Sequence, residues 1–183
     1  MLAIDARSGH VEWEYQLGGG RLSAPAVRDG VLYLTVGAVD DGEPSELVAL
    51  GVGSGPDAGQ PREVWRWQAP TTEPLYLAAV ADDHVYVNGH ETGVYAIDAG
   101  TGAGRLLLPT GGSVGPTSVV VGGDLYVGSA DRTIMSVDRR SGEVHWSIEV
   151  PGEPTSPVVH EGHVVVGTDQ GCLVAIAAQP STE

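Results

Sequence analysis

One phrase constrains what this chain can fold into. Leu2-Ala3-Ile4-Asp5-Ala6-Arg7-Ser8-Gly9-His10-Val11-Glu12-Trp13 returns as Ile134-Met135-Ser136-Val137-Asp138-Arg139-Arg140-Ser141-Gly142-Glu143-Val144-His145-Trp146. Both copies place Gly four residues after Asp and Trp four residues after Gly, with apolar residues alternating on either side. Period-2 alternation is the mark of a half-buried strand, and the Asp-to-Gly step has the chemistry of a tight turn. Asp accepts from backbone N–H groups across the turn, Ser does so more weakly, and Gly supplies a positive φ. The phrase therefore predicts two strands joined by a turn. A Trp repeated at one structural position, with its large apolar area and one N–H to satisfy, predicts a standard dock between neighbouring units.

Weaker copies fill the rest of the chain. Val94 to Leu106 keeps Asp98 and Gly102 but puts Leu106 at the Trp position, whereas Leu47 to Gly55 has Gly51 in place of Asp and reaches Trp65 only after an insertion, Pro56 to Arg62. Cys172 to Ala177 fades before any turn. The marker position thus falls at Asp5, Gly51, Asp98, Asp138 and Ala177, a period of about 40–50 residues built from strands, as in a β-propeller with one blade per repeat.

The phrase resembles the pyrroloquinoline-quinone-type (PQQ-like) propeller repeat, an Ala-x-Asp-x-x-x-Gly-x-x-x-Trp core matched by Ala3, Asp5, Gly9 and Trp13, and in part by Asp98, Gly102, Asp138, Gly142 and Trp146. The expected fold is all-β: four-stranded antiparallel blades, about four of them, over residues 1–178, with a polar tail at 179–183. The resemblance implies a ring of seven or eight blades, so the chain reads as half a ring or a fragment. Strand residues begin at Leu2, no basic-then-apolar leader precedes them, and Met1 is read as starting mid-blade. A four-bladed self-closed ring is the less favoured alternative, since a leading third strand would be left over.

Strands are expected at 2–5 and 11–16, then in four-strand sets: 22–27, 31–34, 46–50 and around Trp65 and Trp67; 75–80, 85–88, 94–98 and 105–108; 114–121, 125–128, 134–138 and 144–148. The last set, 156–159, 164–167 and 173–176, lacks a fourth strand. A net charge of −15 argues against binding nucleic acid or an anionic membrane by electrostatics. No apolar run approaches the ~18 residues of a transmembrane helix. The lone Cys172 allows no intrachain disulfide and is expected to be buried and inert.

Chemistry-bearing residues are sparse. His10, His84, His90, His145, His160 and His163 show no metal-ligand spacing and read as surface turn residues. The run Asp40-Asp41-Gly42-Glu43 lacks the alternating carboxylates of a calcium loop and reads as a solvated hairpin. Ser23, Ser113 and Ser156 have no partnered His visible in the sequence. Resemblance to quinoprotein dehydrogenases would imply PQQ in a central funnel, a Ca²⁺ held by carboxylate and Asn ligands, a catalytic Asp and often an adjacent Cys–Cys disulfide. The chain has one Cys and one Asn, Asn88.

The expected function is therefore a non-catalytic scaffold or sensor module that binds a protein or a small ligand, with self-association of half-rings as a further partner expectation. No catalytic, cofactor or metal residues are assigned, and PQQ with Ca²⁺ enters only through the resemblance. The alternatives are a fragment of a PQQ-dependent dehydrogenase and the C-terminal sensor propeller of a bacterial Ser/Thr protein kinase. Binding is expected on the rim where first strands begin, at Ser23, Tyr76, Ser113 and Thr155. The sequence leaves the compartment open; the family it resembles is often periplasmic or otherwise extracytoplasmic.

Overall fold

The computed structural model describes residues 1–18, 20–37, 43–53, 59–110 and 118–177. Every regular element among them is a strand, and no helix of the described residues is long and apolar enough to cross a membrane. The chain divides into two compact units, Met1–Thr72 and Glu73–Glu183.

The first unit contains β1 (Leu2–Ile4), β2 (Val11–Glu14), β3 (Ala26–Arg28), β4 (Val31–Val36), β5 (Glu46–Gly51) and β6 (Arg62–Gln68). β1 and β2 pair as a two-stranded sheet, and β3-β4-β5-β6 form a four-stranded antiparallel blade. The β3–β4 hairpin turns on Asp29 and Gly30, with φ of 49° and 74°. Two positive φ values make the turn whose twist matches that of the strands, and Asp-Gly is the sequence that tolerates it. In β4, Leu32, Leu34 and Val36 alternate with Tyr33, and all four are buried. Leu32, Leu34 and Val36 join Val48 and Leu50 of β5 in a core flanked by Met1, Tyr15 and Leu17.

The second unit contains β7 (Leu75–Ala81), β8 (His84–Gly89), β9 (Gly93–Asp98), β10 (Gly104–Pro109), β11 (Val119–Val121), β12 (Asp124–Ser129), β13 (Thr133–Asp138), β14 (Val144–Glu149), β15 (Val158–His160), β16 (His163–Gly167) and β17 (Leu173–Ala177). They make two four-stranded blades, β7–β10 and β11–β14, and a three-stranded sheet, β15–β17. The core lies between successive sheets. Tyr86, Val94, Ala96 and Leu108 of one blade meet Leu125, Val127 and Val137 of the next. The opposite face of that blade presents Tyr126 and Ile134, with Val150 just beyond β14, to Val164 and Val166 of the last sheet. Each fully buried aliphatic side chain contributes ~1.5–3 kcal/mol. Second and third strands, covered on both faces, therefore read as nearly continuous apolar runs.

Two first strands are shorter than the sequence suggests. The expected strand at 22–27 is ladder-paired only over Ala26–Arg28, with an isolated bridge from Leu22 to Val36, and 156–159 is paired over Val158–His160 with a bridge from Pro154 to Thr168. Pro25 and Pro157 each lack the N–H a ladder needs. Of the expected strand at 114–121, only Val119–Val121 falls within a described strand. The acidic run at 40–42, Ser113 and the tail at 179–183 lie outside the described residues.

Candidate functional site

The repeated turn is one structure built three times. The Asp5 Oδ1 accepts from the backbone N–H groups of Arg7 (3.2 Å) and Ser8 (2.7 Å) and from the Ser8 hydroxyl (2.6 Å). Asp98 does the same with Gly100, Thr101 and the Thr101 hydroxyl, at 3.1, 2.7 and 2.7 Å. Asp138 repeats it with Arg140, Ser141 and the Ser141 hydroxyl, at 3.0, 2.6 and 2.8 Å. In each turn the Gly N–H then donates to the Asp carbonyl, with Gly9, Gly102 and Gly142 at φ of 73°, 74° and 83°. These bonds favour the ionised form, so all three carboxyls are held below the usual aspartate value. The Ser8 and Thr101 hydroxyls are the chief causes at Asp5 and Asp98, and the Ser141 N–H at Asp138.

Beyond each turn, strand register sets a second repeated arrangement. A small residue of the third strand faces Trp on the fourth: Ala3 opposite Trp13, Ala49 opposite Trp65, Ser136 opposite Trp146. Tyr on the second strand faces the same small residue from the other side, Tyr33 at Ala49 and Tyr126 at Ser136. The two rings meet over it, at centroid distances of 5.8 Å for Tyr33–Trp65 and 6.0 Å for Tyr126–Trp146. In the β7–β10 blade Tyr86 faces Ala96, and the residue opposite Ala96 on β10 is Arg105. This corrects the placement of Leu106 at the Trp position. The irregularity in β10 falls later, between Leu106 and Leu108, so the register lags. Arg105 donates to the carbonyl of Arg140, and the Tyr86 hydroxyl donates to the carbonyl of Arg139 (3.1 Å).

The last sheet departs from this scheme. Val165 faces Ala175, and among the described residues no strand pairs with the other edge of β17. Beside it an open groove of about 280 Å³ is lined by His145, Trp146 and Ile148 of β14 and by Ile176 and Ala177 of β17. Trp146 packs on the cluster of Tyr126, Ile134, Val150, Val164 and Val166 yet remains half-buried, whereas Trp65 is 9% exposed.

His145 enters the groove through a bulge. Val144 pairs with Val137 and Trp146 with Ser136, so His145 is the extra residue, and a bulge re-aims its side chain. Its Nδ1 lies 2.8 Å from Oδ1 of Asp124, which is 7% exposed and also accepts from the Ser136 hydroxyl at 3.3 Å. A carboxylate acceptor puts the proton on Nδ1 and leaves Nε2 of the neutral ring as an acceptor. The groove thus offers an oriented imidazole, an indole and two aliphatic walls, a surface suited to recognition. By its sequence alone His145 reads as a turn residue. Asp124 and His145 meet only because two hairpins bring their strand ends together, and no local spacing signals that.

The rim candidates are elsewhere. The Thr35 N–H donates to the Ser23 hydroxyl at 2.9 Å, and the Thr155 hydroxyl donates to the carbonyl of Gly167 at 3.2 Å. Both stitch the segment leading into a first strand to the second strand. Tyr76, 36% exposed, faces Asn88 across β7–β8, and Ser113 is outside the described residues. Cys172 is exposed rather than buried, because it precedes the uncovered edge strand. Among the described residues no three His, Cys, Asp or Glu side chains group closely enough to hold a metal ion. Nor do those residues suit the quinone–calcium pair: Asn88 is fully buried with its amide bonded to Ser118 at 3.1 Å, and Cys172 is the single thiol.

Comparison with known proteins agrees with this architecture. The family model described as outer membrane protein assembly factor BamB matches residues 1–102 and again 56–181. Among solved structures, the computationally designed Ika4 protein superposes with a TM-score of 0.72 at 15% identity, over 91% of this chain and 96% of that one. The designed Ika8 protein gives 0.65 at 16% identity, over 84% of this chain and 45% of its own. BamB from Moraxella catarrhalis gives 0.64 at 17% identity, over 93% of this chain and 50% of that one. The chain thus spans about half the length of the latter two. No curated protein matches it.

Proposed function

Because the chain belongs to the PQQ-like β-propeller family of the outer membrane protein assembly factor BamB, we propose that it is a binding scaffold with no reaction of its own, taking a protein partner in the groove between β14 and β17. The fold supports a scaffold at the level of the family, and the groove supports the location. One observation carries the reading: an indole, an oriented imidazole and Ile148 stand in one open groove beside the sheet β15–β17. Exposed apolar surface of this kind marks interaction sites. A volume of about 280 Å³ falls just below the ~300–1,000 Å³ typical of small-molecule pockets and suits a single large side chain.

The test is selection of dodecapeptides from a displayed random library against the full chain. Peptides should enrich, and their binding should be lost on Ile148→Glu but kept on Val27→Glu, a more exposed apolar position in the first unit. No enrichment, or binders indifferent to Ile148→Glu, would refute the reading. A parallel titration with PQQ and Ca²⁺ should show no saturable binding; saturation would favour the dehydrogenase alternative.

A further inference from the structure

We infer that His145 is the specificity-determining residue of the groove, and that its Nε2 selects, on a partner protein, a tyrosine side chain whose phenol O–H donates to it. This rests on the scaffold reading and names the chemistry of the occupant.

Three observations carry it. The first is that the pair of His145 and Asp124 is no part of the repeat. The bulge is repeated: Glu12, Val64 and His145 are the extra residues just before Trp13, Trp65 and Trp146. The second strands of the successive sheets open on Val31, His84, Asp124 and His163. Among the described residues, the β11–β14 blade alone sets an imidazole at the bulge against a carboxylate, and the blade plan is built elsewhere without that pair. Bulges re-aim side chains beside binding sites.

The second is orientation. The Asp124 side chain is 10% exposed and that of His145 39%. With Nδ1 turned inward onto Asp124, the imidazole nitrogen left to the groove is Nε2. Among the described residues the ring makes no other hydrogen bond. Asp138, opposite Asp124 across β12–β13, uses its Oδ1 in its own turn. A neutral imidazole held in this way is a fixed acceptor.

The third is what surrounds that acceptor. Trp146, Ile148 and Ile176 wall an opening of about 280 Å³, which suits one aromatic ring. A ring without a donor would cover Nε2 and leave it unpaired, which costs more than the bond itself contributes. Tyrosine carries its donor at the tip, beyond the ring, so the ring can lie between the apolar walls while the hydroxyl reaches the imidazole. A net charge of −15 disfavours an acidic segment, or a second copy of the chain, as the source of that tyrosine.

The probes are N-acetyl-tyrosinamide and N-acetyl-phenylalaninamide, both neutral and differing in the hydroxyl alone, titrated into the full chain and followed by nuclear magnetic resonance. Tyrosinamide is expected to shift the indole N–H of Trp146 and the methyl groups of Ile148 and Ile176, and to bind about three- to tenfold more tightly than phenylalaninamide. Long-range nitrogen–proton correlation spectra should show His145 protonated on Nδ1 and bare on Nε2, with Nε2 shifting for tyrosinamide alone. His145→Phe, at an exposed position, keeps a ring and removes the acceptor, so the two amides should then bind alike. Asp124 is the positioning residue. Asp124→Asn should populate the other imidazole tautomer in the same spectra and bring the affinity ratio toward one.

Equal affinities of the two amides at the groove overturn the inference and leave the scaffold reading standing. So does a parent chain whose His145 carries its proton on Nε2. Shifts confined to other parts of the chain, or none from either amide, overturn it as well, and selection of displayed peptides then judges the scaffold reading by itself. Tighter binding of N-acetyl-tryptophanamide overturns the assignment to tyrosine. A light-scattering mass of twice 18.9 kDa that is halved by Tyr76→Phe, at a tyrosine 36% exposed, gives the groove to a second copy and overturns the assignment to another protein.

Discussion

At the scale of single residues, the turns at Asp5, Asp98 and Asp138 are acid-sensitive by construction. Their carboxyls titrate below the ordinary aspartate value of about 3.9 in the fold, so on acidification the unfolded chain takes up their protons first. Their stabilisation is complete above that value and is lost as pH falls through the lower, folded values. Asn keeps an oxygen acceptor without the charge. The triple Asp→Asn variant should therefore show a shallower decline of urea stability between pH 5 and pH 2 than the parent. An unchanged slope would mean that these carboxylates are not linked to folding. The glycines separate conformation from space. A Cβ at Gly9 meets nothing within 4 Å, whereas one at Gly142 collides with the carbonyl oxygen of Leu107. Gly9→Ala should cost about 1 kcal/mol for its left-handed backbone alone. Gly142→Ala should cost clearly more, and equal losses in chemical denaturation would contradict the close approach.

At the scale of elements, the row of Tyr, small residue and Trp explains why the motif spans three strands. Ala49 and Ser136 are small because two rings close over them. Trp65→Ala should destabilise by about 3–5 kcal/mol as a buried ring. Trp146→Ala should cost roughly half as much, because only part of the indole leaves water on folding. The opposite order in denaturant unfolding would show that the groove beside Trp146 is closed in solution. The strands, their order within a blade and the Asp turns were legible from period and turn chemistry. Arg105 in the row was not, since its placement depends on where β10 breaks register. His145 against Asp124 was not either, since a bulge decides where that ring points.

At the scale of the molecule, stability is unevenly distributed. β8, β9 and β12 are buried almost throughout, whereas β1 and β2 form a sheet of two strands with Leu2, Ile4 and Val11 each more than half exposed. Native-state hydrogen exchange should be slowest in β8, β9 and β12 and fastest in β1 and β2, because opening free energy follows buried contacts. Uniform protection would indicate that β1 and β2 are covered in solution. The groove belongs to the same gradient, lying between the sparsely buried strands β14 and β17.

The sequence alone determined the all-β class, the repeat period and the three Asp turns, because each is written in neighbours a few residues apart. Only the tertiary structure decided that Cys172 is exposed, that Arg105 takes a Trp's place, and that Asp124 aims His145 into a groove. Those outcomes depend on register and bulges between strands tens of residues apart, and local spacing does not encode them.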